Sequence, residues 1–407
     1  TEMLGAVGIG SSFFLLVVWV LAQTRSAMLA VVARYYGEGR LKDIAGLVPI
    51  AMWTNFGLGV LFLGITYPFA EQIFSAYNAS GRMLDLTCDY FRVRCFGFPI
   101  SLSVYAITGA FRGLQNLKWS MYVSLIGAAV NLALNPLLIF GYGPFPMMGI
   151  EGCATASIIA QCTMLITCVF IVRTRTPFQL WPSSWRHTEF LPLMRNSGQL
   201  FARTIALNVC YYLGNRYATG YGKSFIGAHS IAMQVWLFSA FFIDGYAAAG
   251  SVLVGRLNGE KNWSELYKVS WHVVRVSVTI GAVLAVIYLI GYARIGHLFT
   301  HDAEVLALLG SVFWVVVITQ PINAVAFAFD GVYKGLGNGR ILRNVLLAST
   351  FIAFVPVIFG MDALGWQLHA VWAAFLVWML MRGALLALHF QKHHGPRSTT
   401  GHHTFGT

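Results

Sequence analysis

Pro99-Ile100-Ser101-Leu102-Ser103-Val104-Tyr105-Ala106-Ile107-Thr108-Gly109-Ala110-Phe111-Arg112-Gly113-Leu114-Gln115-Asn116 has a second copy 222 residues downstream, Pro321-Ile322-Asn323-Ala324-Val325-Ala326-Phe327-Ala328-Phe329-Asp330-Gly331-Val332-Tyr333-Lys334-Gly335-Leu336-Gly337-Asn338. Proline, isoleucine, three glycine or leucine positions and asparagine hold one ungapped register. The same shift pairs Gly5 with Gly227, Arg34 with Arg256, Gly37 with Gly259, Glu38 with Glu260 and Gly59 with Gly281. Apolar bias alone does not align Pro, Asn, Arg and Glu, so the chain reads as a tandem duplication.

Around this pair lies a membrane protein. Of 407 residues, 57% are hydrophobic and only 10% charged, against about 25% charged in soluble domains. Runs such as Phe13 to Val32 are long enough to cross a hydrocarbon core of about 30 Å. Apolar windows between polar and Gly/Pro breaks predict helices at about 4–33, 44–70, 86–111, 119–141, 149–174, 191–219, 224–254, 265–292, 304–333, 342–360 and 366–390. The fold class is therefore all-α and polytopic, with eleven spans. Sixteen Lys and Arg lie in one set of loops, Arg34, Lys118, Arg173 and Lys392 among them; the opposite set holds four, Arg82, Arg216, Lys223 and Arg294. The positive-inside rule puts the first set, with the C-terminus, in the cytoplasm of a multi-pass membrane protein.

Six helices separate equivalent points, so the lobes are expected to be parallel repeats. The helix at 191–219 maps before residue 1, which predicts a native protein of twelve helices whose first is missing here. A chain lacking it is expected to bare the small-residue face at Gly5, Gly8 and Gly10 and to transport poorly. The domains read as an N-lobe at 1–174, a cytoplasmic connector at 175–189, a C-lobe at 190–390 and a disordered cytoplasmic tail at 391–407.

Several chemistries lack their residues. The net charge of +12 sits between apolar stretches, where it orients helices, so nucleic acid is not an expected partner. Six cysteines form no CxxC pair, which leaves no expected metal site or disulfide. Gly222-Lys223-Ser224 resembles the end of a phosphate loop, but Tyr217 stands where its first glycine belongs. Gly335-Leu336-Gly337-Asn338-Gly339 follows a membrane helix and reads as a turn. With no cofactor or enzyme motif, ion-driven secondary transport of small molecules is the leading class, with proton or sodium as coupling ion.

Charged residues in mid-membrane cost on the order of 3 kcal/mol and so mark sites. Asp244 and Asp330 are the deep acids; their repeat mates are Ala22 and Thr108. Each reads either as a carboxylate exchanging protons with a cation or as half of a helix-locking ion pair, with Arg25 or Lys334 as partner. The helix at 191–219 is polar for a span: Gln199 with Arg203 and Thr204 with Asn208 are spaced four apart, which suits a wet cavity. Asn131 and Asn135 form another such pair, read equally as cavity lining or as interhelical hydrogen bonds. Arg92, Arg94 and Arg275 are expected to snorkel near helix ends.

Three stretches, Met121-Tyr122-Val123-Ser124-Leu125-Ile126-Gly127, Asn131-Leu132-Ala133-Leu134-Asn135-Pro136-Leu137-Leu138-Ile139-Phe140-Gly141 and Gly149-Ile150-Glu151-Gly152-Cys153-Ala154-Thr155-Ala156, resemble the multidrug and toxic compound extrusion (MATE) family. Asp244-Gly245-Tyr246, Asp330-Gly331-Val332-Tyr333 and Arg25 before Gly37 are similar to its DinF-like branch. The resemblance covers the whole chain. It implies a V-shaped pair of six-helix lobes that alternately open a cavity, exchanging protons or sodium for amphipathic, often cationic drugs or metabolites. On it, Asp330 and Asp244 would couple, and Asn131, Asn135, Gln199, Arg203, Asn208 and Arg25 would line the substrate cavity of a monomeric antiporter in the bilayer. Where many members carry an acid four residues after Asn131, this chain has Asn135, so an N-lobe carboxylate site is not expected. The alternatives are a flippase for lipid-linked precursors, whose cationic cavity Arg25 and Arg203 could supply, and a non-transporting fragment.

Overall fold

The computed structural model describes residues 2–77 and 79–395. The described residues contain helices and turns and no strand. They divide into two compact units, Thr1–Ser197 and Gly198–Thr407, with the boundary inside a helix.

In the first unit α1 (Glu2–Leu21) and α2 (Thr24–Gly37) form one span. The sequence predicts an unbroken helix there; the structure interrupts it at Ala22–Gln23. The amide of Arg25 reaches the Ala22 carbonyl and that of Ser26 the Gln23 carbonyl, tighter bonds than an α-helix makes. Next come α3 (Leu47–Thr66), the short α4 (Ala70–Ala76), α5 (Arg82–Arg94) and α6 (Gly97–Gly113). The predicted helix at 86–111 is two pieces, α5 and α6, bent by 48° at their break. Pro99 follows the break in the first turn of α6, where a missing N–H costs no helical bond. Then α7 (Leu117–Phe140) packs on α8 (Gly149–Arg175).

Helix α9 (Phe190–Tyr221) carries the unit boundary. The second unit continues with α10 (Lys223–Gly259), α11 (Trp263–Ile290), the single turn α12 (Tyr292–Ile295) and α13 (Ala303–Gly335). It closes with α14 (Gly339–Ala348), α15 (Val355–Ala363) and α16 (Gln367–His394). A π-helical turn, Ser349–Phe354, joins α14 to α15 ahead of Pro356. The sequence predicts one helix at 342–360 and starts its tail at 391, whereas α16 runs on to His394. The remainder of that tail, 396–407, lies outside the described residues.

Helices fill each of the eleven predicted segments. Nine of the described spans are long and apolar enough to cross a membrane, and the bent pair α5–α6 makes a tenth. Helix α9 is long enough, but its polar residues keep it out of that set.

The duplication is legible in side-chain chemistry. Asn116 caps α7 by accepting from the Trp119 amide at 3.3 Å, and Asn338 caps α14 from the Ile341 amide at 3.4 Å. Just before each cap the chain turns through positive φ, at Gln115 (63°) and Gly337 (72°). These are equivalent positions, so the glycine-rich motif is a helix-to-helix turn. Arg34 pairs with Glu38 and Arg256 with Glu260, at 3.7 and 3.1 Å.

Close crossings repeat as well. A Cβ on Gly59 would lie 2.4 Å from Pro99 Cα, and one on Gly281 2.7 Å from the Gln320 carbonyl and 3.1 Å from Pro321 Cα. One on Gly109 would meet the Arg25 carbonyl at 2.4 Å, and one on Gly331 the Ala247 carbonyl at 2.6 Å. Small residues let helix backbones touch in lipid, where dispersion replaces the hydrophobic drive. The expected bare face of α1 is only partly bare. Gly10 is buried, its Cβ position 2.7 Å from the Tyr90 ring; Gly5 faces Met83, and Gly8 alone has open space beside it.

Candidate functional site

The charged centre of the second unit is Asp330, 1% exposed, five residues before the end of α13 and the first charged residue of that helix after Glu304. One guanidinium nitrogen of Arg203, from α9, donates to both carboxylate oxygens at 2.6 Å. Arg382, from α16, donates to Oδ1 at 2.9 Å, and the Lys334 ammonium, one turn on along α13, lies 2.8 Å from Oδ2. Three cations thus surround one anion. Arg382 is 1% exposed, its guanidinium also lying 5.4 Å from the Phe327 ring centre and 6.0 Å from that of Trp378. The Nε of Arg203 is buried without a hydrogen-bond partner among the described residues.

Why the cluster forms here follows from the helix crossings. Gly331 lets the α10 backbone sit against α13 beside Asp330, and α16 packs on α13 as well. Burying each charge alone would cost several kcal/mol, so the carboxylate and its cations hold one another in place. The repeat mates of Asp330 and Arg382 are Thr108 and Ala160, so the common fold does not require these charges. Thr108 returns its hydroxyl to the Val104 and Tyr105 carbonyls of its own helix.

The other predicted site residues are placed differently. Asp244 lies on an exposed side of α10, beside exposed Phe241 and Phe242, and makes no ion pair among the described residues. On α9, Gln199 is half-buried, and Asn208 donates back to the Thr204 carbonyl at 2.8 Å. In the first unit, Asn131 donates to Ser157 across the α7–α8 contact at 3.2 Å, and Asn135 donates to Asn131 at 3.1 Å. Arg25 is half-buried, its guanidinium 5.4 Å from the Tyr105 ring centre. The structure brings Asp330 together with Arg203, and Asn131 with Asn135. It does not bring Asp244 or Asn208 to the Asp330 carboxylate.

The sequence reading misses one residue and misplaces another. Arg382 is the more consequential, and Met381-Arg382-Gly383, far inside an apolar span, is the signal that marks it. Arg94 does not snorkel as expected: it is 8% exposed and lies 3.7 Å over the Phe14 ring, a cation–π contact within the core. Arg92 and Arg275 are exposed. All six cysteines are free, and among the described residues there is no cluster able to hold a metal.

A family model described as MatE matches this chain twice, at residues 1–137 and 200–359, one match for each copy of the repeat. The chain belongs to the MATE family. It is similar to Protein DETOXIFICATION 42 of Arabidopsis thaliana, 29% identical over 73% of this chain and 56% of the relative. DNA damage-inducible protein F of Escherichia coli is 22% identical over 96% of this chain and 84% of its own length. The fold superposes on a crystal structure of MATE in the bent conformation with a TM-score of 0.90, at 18% identity, covering 98% of this chain and 89% of that one. The chain spans 50 to 62% of the length of the four plant relatives it matches.

Proposed function

We propose that the chain is the transport core of a secondary antiporter that exports amphipathic small molecules in exchange for protons or sodium by alternating access. The observation that carries this is the ion cluster around Asp330. Asp330 and Arg382, buried charges whose repeat mates Thr108 and Ala160 carry none, are retained for a task the shared fold does not impose. In this reading Asp330 and Asp244 are the coupling carboxylates. Arg203, Gln199 and Asn208 on α9, with Arg25, Asn131 and Asn135 in the first unit, line the substrate path. The protein acts as a monomer in the inner or plasma membrane, with eleven spans here and its C-terminus in the cytoplasm.

The charge balance favours a second reading for the substrate. Three cations to one carboxylate leave the cluster with an excess of two positive charges, and the Arg203 Nε–H has no acceptor among the described residues. Such a centre suits an anionic head group, as a flippase for lipid-linked pyrophosphates needs, better than a cationic drug. Flux into vesicles holding the full-length protein, under imposed proton and then sodium gradients, tests both. Gradient-driven movement of a cationic dye supports the first reading. Movement of a phosphate-bearing lipid without the dye supports the second, and no flux of either under any gradient removes both.

Orientation is tested separately. Cysteines placed at Gln115 and Gly337 should both be unreactive to an impermeant maleimide in intact cells and both react after the membrane is opened. Opposite behaviour at the two turns would end the parallel-repeat arrangement.

A further inference from the structure

Helix α11 carries a basic stripe that the transport reading leaves unused. Lys268, His272 and Arg275 stand four and three residues apart and are all exposed, so they share one face. Two grooves flank that face. One, of 520 Å³, lies against α10, where Tyr246, Ala249, Gly250 and Leu253 form an apolar wall. The other, of 410 Å³, is bounded by Tyr267, Trp271 and, from α16, Gln391. Lys268 and Arg275 border both. Among the described residues that line the two grooves Glu265 is the one acid, and it pairs loosely with Lys268 at 3.6 Å; Arg275 makes no ion pair among the described residues.

The repeat shows that the stripe is not needed for folding. The equivalents of Lys268, His272 and Arg275 are Gly46, Ile50 and Trp53. In the first unit that face is covered. Trp53 stacks on Trp181 of the connector at 4.8 Å and donates to the Leu180 carbonyl at 3.2 Å. In the second unit the corresponding face is an open groove edged by cations.

Depth identifies the occupant. Helix α11 has 28 residues, about 42 Å at 1.5 Å each, against a hydrocarbon core of about 30 Å. Val276 to Ile290 carries no charge, so the surplus falls at the N-terminal end, over roughly eight residues. Lys268 then stands at head-group level. Arg275 starts about two turns deeper, but helical side chains lean toward the N-terminus, here the polar end, and a guanidinium snorkels that way. Tyr267 and Trp271 supply the amphipathic rings typical of that depth.

We propose that the α11 stripe is a binding site for an anionic phospholipid, with the phosphate held by Lys268, His272 and Arg275 and an acyl chain lying in the groove against α10. The site lies within the second unit and does not depend on which substrate is transported. A basic pocket between helices near the interface is the chemistry that selects anionic over zwitterionic head groups.

Native mass spectrometry of the full-length protein, released from bilayers of mixed phosphatidylglycerol and phosphatidylcholine, tests it. Phosphatidylglycerol should be retained in preference. The Lys268→Gln, Arg275→Gln double variant should retain it roughly thirtyfold less, the effect of two basic side chains near an anionic surface. Arg275→Lys, which keeps the charge, should retain it nearly as well, separating loss of charge from loss of fold. Equal retention of the two lipids, undiminished retention in the double variant, or displacement by soluble glycerol 3-phosphate would each overturn the proposal.

Discussion

Replacing Asp330 with asparagine should cost this protein about 3–5 kcal/mol of stability, the usual penalty for stranding a buried charge. Here the stranded charges are three: Arg203, Arg382 and Lys334 converge on one carboxylate, and two of them are themselves buried. The measurement is thermal unfolding in detergent together with yield in the membrane, and both should fall well below wild type. Adding Arg382→Met to Asp330→Asn should restore part of the loss, because it removes one uncompensated cation and leaves an apolar side chain among Phe327 and Trp378. Asp244→Asn is the contrast. Its side chain is exposed and makes no ion pair among the described residues, so stability should change by less than about 0.5 kcal/mol. Flux measured beside stability then divides the roles. An Asp330→Asn protein that unfolds at the wild-type temperature yet loses gradient-driven flux would make Asp330 a coupling carrier and not a structural counter-charge. Lost flux in Asp244→Asn at unchanged stability would place coupling there.

Alanine at Gly109 or Gly331 should destabilise its own unit by about 1–3 kcal/mol, because the new methyl overlaps backbone that cannot rotate away. The would-be Cβ lies 2.4 Å from the Arg25 carbonyl oxygen in one unit and 2.6 Å from the Ala247 carbonyl oxygen in the other. In each case two helices must separate. Because the positions are repeat mates, the two losses should be similar. Gly8→Ala and Gly64→Ala have nothing within 4 Å of the new atom; there alanine's helix propensity should hold stability level or raise it by up to about 1 kcal/mol. Unfolding temperatures of the four variants check this, and a loss at Gly8 as large as at Gly109 would refute the crossing argument.

Much of the architecture was legible because lipid imposes it. A single segment that crosses hydrocarbon on its own satisfies its backbone polar groups as a helix and is predominantly apolar, so Leu117–Phe140 or the Val276 to Ile290 stretch of α11 announces itself from local sequence. The turns were equally local, since Asn116 and Asn338 cap helices that start one residue later. Interruptions inside spans were less legible. Nothing in Ala22-Gln23 marks a break by composition, and the bend between α5 and α6 falls at Cys95-Phe96, three residues ahead of Pro99. Both depend on how neighbouring helices press on the chain.

The site divides along the same line. Sequence by itself determined the duplication, the helical segments, the pairing of Gly59 with Gly281 and Gly109 with Gly331, and the fact that Asp330 is an acid where its repeat mate is not, because each depends on a period or register along the chain. That helices cross at those glycines came from the structure. Only the tertiary structure decided what Asp330 touches. Lys334 is one turn away and could be named in advance, but Arg203 and Arg382 lie 127 and 52 residues distant. Which of many basic residues reaches a buried carboxylate is set by the angle and depth at which α9 and α16 pack on α13, quantities fixed by long-range side-chain packing and by no local spacing. Long-range packing likewise exposes Asp244, which the sequence reads as a deep acid, and buries Arg94 on Phe14 while leaving Arg275 at an open groove, although both arginines read alike as snorkelling ends of helices.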